Sequence, residues 1–303
     1  MRVLFIFLDG IGLGENNPET NPFATAKMPN LNRLLDGRSL LKDSAPFHGE
    51  RTTLLAVDPA VGVNGLPQSA TGQAILMTGI NIPAELGYHY GPKPNPEVAA
   101  YLKEATLFSR FAKEGKKAAL LNAYPPRYFH GIDSGKRLYS SIPLAVTNAG
   151  LPLFRHDDLF AGHALSADFT GEGWRTMLGY LDAPVMEPPH AGQMLGTLAK
   201  KYDFALFEYW ASDYAGHKQE MDDAIRLMET FDGVLGGLTE IWDDGLILIT
   251  SDHGNMEDLS TRKHTDADVP ALVIGDKTAR EEFTRGMRDL THIAPAIWRT
   301  VMQ

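Results

Sequence analysis

Short aliphatic runs, each ended by a glycine, a proline or an acid, alternate along the chain with segments of helical spacing. Val3 to Leu8, Leu54 to Val57, Lys117 to Asn122, Phe204 to Trp210, Leu246 to Thr250 and Val269 to Ile274 read as strands. Their nearly unbroken apolar character predicts burial on both faces, as in a parallel sheet. Helical spacing falls at 28–35, stopping before Gly37, and again at 97–104, 106–114 and 191–201. A long amphipathic stretch runs from about 218 to 242, with Ala224, Leu227, Met228, Phe231, Leu235 and Leu238 on one side. Two further helices close the chain. This alternation predicts a three-layer α/β/α sandwich around a mostly parallel sheet. Between 125 and 189 the pattern weakens into glycines, prolines and short apolar pieces. That segment is expected to form a small cap or insertion, with 1–124 and 190–303 making the core.

Three of the strand runs end in acids. Val3–Leu8 leads into Asp9-Gly10, Phe204–Trp210 into Asp213 with His217 four residues on, and Leu246–Thr250 into Ser251-Asp252-His253, with His264 following. One such aspartate commonly caps a turn, and a single histidine such as His264 reads equally well as a solvated loop residue. Three acid-terminated strands of one parallel sheet would bring their ends to one rim, where open α/β sheets bind ligands. Carboxylate and imidazole together suit a divalent metal. Asp213, His217 and His264 would hold one ion, and Asp9, Asp252 and His253 a second, with a hydroxyl of Ser69 as a further ligand. Pro67 breaks the chain just before Ser69, which opens a short helix; there Ser69 serves either as N-cap or as a nucleophile where helix amides receive an anion. A hydroxyl beside two cations is a phosphoryl-transfer arrangement.

Composition narrows the alternatives. The chain has no cysteine, which removes thiolate metal sites and disulfides. Its formal net charge of −10 argues against a nucleic-acid partner, though bound cations would still let it take an anionic substrate. The opening Met1 to Leu8 has a signal-like profile, but Asp9-Gly10 replaces a small-residue cleavage site. No stretch approaches the ~18 to 20 apolar residues a membrane helix needs. A cytoplasmic protein is the expectation, its oligomeric state open. The glycines at 10, 12 and 14 come too early for a dinucleotide fingerprint.

These residues carry a family likeness. Asp213-x-x-x-His217, Ser251-Asp252-His253-Gly254-Asn255, His264-Thr265 ahead of Val269-Pro270, and the early Asp9-Gly10 resemble the alkaline phosphatase superfamily. The nearest branch is that of cofactor-independent phosphoglycerate mutase and phosphopentomutase, whose first loop and helix Asn21-Pro22 and Met28-Pro29-Asn30-Leu31 also resemble. The resemblance implies the two-ion assignment above, with Mn²⁺ or Zn²⁺, and a phosphoserine or phosphothreonine intermediate. Counting back from Gly72, it places the nucleophile at Ser69, with Thr71 as the alternative.

The sequence departs from the mutases at three points. Gln73 stands where they carry a histidine, which bears on substrate handling. Little more than 125–189 is available for their substrate-binding insertion, which favours a hydrolase over a mutase. Their basic substrate-binding motifs find no match, and a sulfatase-type motif is also missing. Gln73, His89, Arg127, His130, Lys136 and Arg137 remain the candidates for gripping a small phosphorylated substrate, against the alternative of a solvated basic face. The expected activity is phosphohydrolase or phosphomutase. A phosphodiesterase or pyrophosphatase of the same superfamily, or a non-catalytic protein that binds metal or ligand, are the rival readings.

Overall fold

The computed structural model describes every residue except 104. A seven-stranded sheet crosses the molecule in the order β2-β3-β9-β8-β1-β7-β4. Its strands are β1 (Val3–Leu8), β2 (Phe47–His48), β3 (Thr52–Val57), β4 (Ala118–Leu120), β7 (Phe204–Tyr209), β8 (Leu246–Thr250) and β9 (Val269–Ile274). Two further short strands, β5 (Ala123–Tyr124) and β6 (Phe154–Arg155), pair separately.

The four strands β4, β7, β1 and β8 run parallel, whereas β9 is antiparallel to β8 and to β3. The sheet is therefore parallel at its centre and mixed toward one edge. The reason lies in the connection: residues 251–268 join β8 to its neighbour β9 without a helix, and a parallel return would need a crossover. The apolar strand runs say that these segments are buried, not which way they point.

Alternate residues of β1 feed the two faces. Phe5 and Phe7 pack with the helices Ser69–Thr78, Leu107–Lys113, Ser141–Asn148 and Ile293–Met302. Leu4, Ile6 and Leu8 pack with Pro188–Ala199 and Met221–Ile241. The three layers are thus built by the pleat of fully buried strands. A small satellite cluster of Leu159, Ala164, Trp174 and Ala183 lies within the segment of weak pattern, while Ile142, Ala145 and Val146 of the same segment join the main core.

Helix boundaries differ from those expected; 191–201, for one, is Pro188–Ala199. The expected helix 97–104 is Pro96–Tyr101, and residue 104 lies outside the described residues. The stretch around Asp213 forms its own helix, Ala211–Lys218, ended by Gln219 at φ 61°; the long helix begins only at Met221. Ser69 is the first helical residue rather than the N-cap, a position that Gln68 takes without a side-chain bond.

Candidate metal centre

β1, β7 and β8 are adjacent and parallel, so the chain leaves all three at one rim. Asp9 follows β1, Asp252 and His253 follow β8, and Asp213 lies in the first turn of the helix after β7. Two glycines make the approach possible. Gly10 has φ 69°, and a Cβ there would sit 2.7 Å from Asp213 Oδ1. A Cβ on Gly72 would meet Asp252 Cβ at 2.8 Å, so only glycine lets the Ser69–Thr78 helix lie against the Asp252 loop.

Asp213, His217 and His264 place a ligand atom each within 4.8 Å of one another, and so do Asp9, Asp213 and His253. Asp213 thus reaches both groups, although the sequence reading gave it to one ion. His253 Nε2 lies 3.1 Å from Ser69 Oγ, 3.4 Å from Asp9 Oδ1 and 3.5 Å from Asp252 Oδ2. His217 Nε2 is 3.4 Å from Asp213 Oδ2, and His264 Nε2 is 3.7 Å from Asp213 Oδ1. Asp252 and His253 are fully buried.

The three imidazoles share one orientation. Nδ1 of His217 faces the carbonyl of Arg262 at 2.6 Å, that of His264 the carbonyl of Pro67 at 2.8 Å, and that of His253 the carbonyl of Gly254 at 3.3 Å. A carbonyl only accepts, so each Nδ1 carries the proton. Burial, then neighbouring imidazoles, holds His253 well below the ordinary histidine range, and burial lowers His264. In these two rings Nε2 is therefore a lone pair aimed at a carboxylate oxygen. Two acceptors facing each other call for a cation between them, and Nδ1 anchored on a carbonyl is the usual support of a metal-binding imidazole.

The acids agree. Burial, then the charges of Asp252, Asp213 and Glu208, raises Asp9 well above the carboxylate range; burial, then Asp213, does the same for Asp252. Among the described residues no lysine or arginine forms an ion pair with Asp9, Asp213 or Asp252. Asp9 Oδ1 is buried without a hydrogen-bond partner. A nitrogen and oxygen donor set with unpaired carboxylates fits a borderline or hard divalent cation.

The other candidates divide. Thr71 Oγ1 is spent on the carbonyls of Gln68 and Tyr90, at 3.2 and 3.3 Å, and on the Tyr90 amide. Gln73, expected to handle substrate, instead points Nε2 at Asp9 Oδ2 and Asp252 Oδ2, 3.4 Å from each, and is buried. A side chain one helical turn beyond Ser69 faces the same acids, which residue type alone did not reveal. His89 Nε2 lies 3.2 Å from the Val63 carbonyl, on the loop beside the helix start. Arg127, His130 and Lys136 are exposed, and among the described residues their side chains make no hydrogen bond or ion pair with this centre. Arg137 lies over the Tyr128 ring.

Four residues escaped the sequence reading. Asn255 Nδ2 donates to Asp213 Oδ1 at 2.6 Å; it stood inside the quoted Asp-His motif. Glu257 accepts from the amides of Gly12 and Asn255, at 2.8 and 2.7 Å, and from Thr265 Oγ1, tying the turn after β1 to two points of the 251–268 connection. Glu208 is a buried acid within a strand run, a signal that could have been noticed. Lys93, in a proline-rich loop, gave none; partial desolvation lowers its ammonium, which feels Glu208, Arg137 and Asp9.

Residues 189–302 match the model of the Metalloenzyme superfamily. The 2,3-bisphosphoglycerate-independent phosphoglycerate mutase of Desulforudis audaxviator (strain MP104C) is 33% identical over 106 residues, 32% of this chain and 20% of that protein. That of Vibrio atlanticus (strain LGP32) is 32% identical over 125 residues, 38% of this chain and 24% of that protein. The matches thus span about a fifth to a quarter of these mutases' length. Among solved structures, the PH0037 protein from Pyrococcus horikoshii superposes with TM-score 0.55 at 17% identity, covering 99% of this chain and 96% of that one. The alkaline phosphatase from the Antarctic bacterium TAB5 superposes with TM-score 0.53 at 13% identity, covering 99% and 98%. At such identities the superpositions speak for the fold, and the matched segment carries Asp213, His217, Asp252, His253 and His264. The superpositions thus show an alkaline phosphatase-like fold over the whole chain, and residues 189–302 are similar to the Metalloenzyme superfamily.

Proposed function

We propose that this chain is a two-metal phosphoryl-transfer enzyme acting on a small phosphorylated metabolite, with Ser69 as nucleophile. The observation that carries the reading is the shared orientation of His217, His253 and His264, each with Nδ1 on a carbonyl and Nε2 toward an aspartate. Asp213, His217 and His264 hold one ion; Asp9, Asp252 and His253 hold the other, with Ser69 Oγ. Two divalent cations, Mn²⁺ or Zn²⁺, would offset the charge of the phosphoryl oxygens and lower the pKa of the serine hydroxyl.

Ser69 stands at the first position of a ten-residue helix, whose amino end favours an incoming anion. Its Oγ attacks phosphorus in line with the ester bond. The serine proton leaves as the Oγ–P bond forms; the P–O bond to the alcohol breaks with its electron pair, and that oxygen takes a proton from solvent. Water then cleaves the phosphoserine and restores the hydroxyl. A second substrate hydroxyl in place of water would give a mutase. The short segment 125–189, proposed as a small insertion beside the site, favours release and so hydrolysis. Lys93, whose ammonium feels Asp9, and Arg137, whose charge it also feels, would be the cations to meet the arriving phosphate.

The test is a panel of phosphomonoesters with metal-depleted, Mn²⁺-loaded and Zn²⁺-loaded protein, together with metal analysis. Metal-dependent turnover, two bound equivalents and a phosphorylated Ser69 peptide are expected. Full activity of Ser69→Ala on the best substrate would overturn the nucleophile, and failure to bind two equivalents would overturn the centre.

A further inference from the structure

A second polar cluster lies beside the metal centre. Glu208 is the penultimate residue of β7, 5% exposed, in register with Phe7 two residues before Asp9. Its backbone is locked by Asn122, which accepts from the Glu208 amide and donates to its carbonyl, each at 2.8 Å. Its carboxyl takes one donor among the described residues, Tyr124 Oη at 3.3 Å. Tyr128 packs on Tyr124 with ring centroids 4.5 Å apart, and the Arg137 guanidinium lies 5.1 Å over the Tyr128 ring. Tyr128 is 8% exposed, and its hydroxyl has no partner among the described residues.

A buried acid with a purely structural task is saturated. Glu257 shows this in the same molecule, accepting from two amides and a hydroxyl. Glu208 and Tyr128 are not saturated, and they flank the same side chain: Tyr124 donates to Glu208 and stacks against the Tyr128 ring. After burial, the Glu208 charge is the next cause that raises the Tyr128 phenol. Burial pushes Glu208 up to about 7, against the Lys93 ammonium and the Tyr124 hydroxyl. Near neutral pH its carboxyl therefore either accepts or donates. Lys93 feels both Glu208 and Asp9, which joins this cluster to the acids of the metal centre.

We infer that Glu208, Tyr124 and Tyr128 form a hydroxyl-binding subsite that selects phosphomonoesters of polyols or sugars over simple alkyl esters. The inference rests on the phosphoryl-transfer reading above. A ligand hydroxyl between Glu208 and Tyr128 would donate to one and accept from the other. An alkyl group there would leave the Tyr128 hydroxyl unpaired and the Glu208 carboxyl with Tyr124 alone, and a site built to bond a hydroxyl discriminates strongly against the analogue lacking it.

The experiment compares glycerol 1-phosphate with propyl phosphate on the full metal-loaded chain. The wild type is expected to prefer glycerol phosphate at least about tenfold in kcat/KM, the worth of roughly one hydrogen bond. Tyr128→Phe and Glu208→Gln should each bring that ratio toward one, mainly through KM. Both swaps keep side-chain volume; melting curves establish folding, and Tyr124→Phe serves as a third variant. A wild-type ratio near one, or a ratio kept by folded Tyr128→Phe and Glu208→Gln, would overturn the subsite. If neither ester turns over, the phosphoryl-transfer reading fails, and calorimetric titration of both esters still decides: equal affinities overturn the subsite, and a preference abolished in Tyr128→Phe supports it.

Discussion

Ser69 Oγ lies 3.1 Å from His253 Nε2, although 184 positions separate the two residues. By contrast, Thr71 Oγ1, two residues along the same helix, is engaged with the Tyr90 segment. Ser69→Ala is therefore expected to abolish formation of a phosphoenzyme and to lower kcat by at least about a hundredfold. Thr71→Val should instead lower the melting temperature while the phosphopeptide still maps to Ser69. Intact-mass and peptide analysis after brief exposure to substrate distinguishes the two.

The imidazole orientation predicts what metal removal does. The centre crowds three aspartates, of which Asp9 is raised by burial and then by the charges of Asp252 and Asp213, and Asp252 by burial and then by Asp213. Metal binding then competes with protons for these two acids. Metal affinity is expected to fall as pH drops below their raised range, and binding to release protons into a weakly buffered solution. Calorimetry in two buffers of different ionisation enthalpy measures that release; its absence would contradict the raised acids.

Glu257 is expected to act through the ligands it supports. Its carboxylate joins the Gly12 amide, the Asn255 amide and Thr265, next to His264. Glu257→Ala would leave these donors unpaired, at about 1–3 kcal/mol for each that stays buried, and should weaken metal affinity by roughly 10–100-fold. Metal titration followed by denaturation separates the two effects, and Glu257→Gln should recover part of the affinity.

Glu208 predicts a pH dependence of stability. Its folded value of about 7 lies above its ordinary 4.5. A raised acid contributes stability that is fully present below the unfolded value and is lost as pH rises through the folded one. Relative to Glu208→Gln, the metal-free wild type should lose stability as pH rises from 4.5 to 7, by roughly 3 kcal/mol in all. Urea unfolding of both proteins at pH 5 and pH 8 measures the difference. Equal changes for the two would mean that the acid is not strained by its burial.

Much of this architecture was already written along the chain. Continuous apolar runs identified β1, β7, β8 and β9, because a strand covered on both faces has no polar side to show. The acids and histidines at the ends of those runs stood out because polar groups there need partners. What tertiary structure alone decided was direction and neighbourhood. Strand composition is the same whichever way β9 runs, so its antiparallel pairing with β8 came from the helix-free connection between them. Gln73 pointing at Asp9 and Asp252, Glu257 joining the Gly12 turn to the 251–268 connection, and Lys93 feeling the Glu208 charge depend on segments brought together from distant parts of the chain. Periodicity reports what a residue hides from water; it carries no record of which distant residue it meets there.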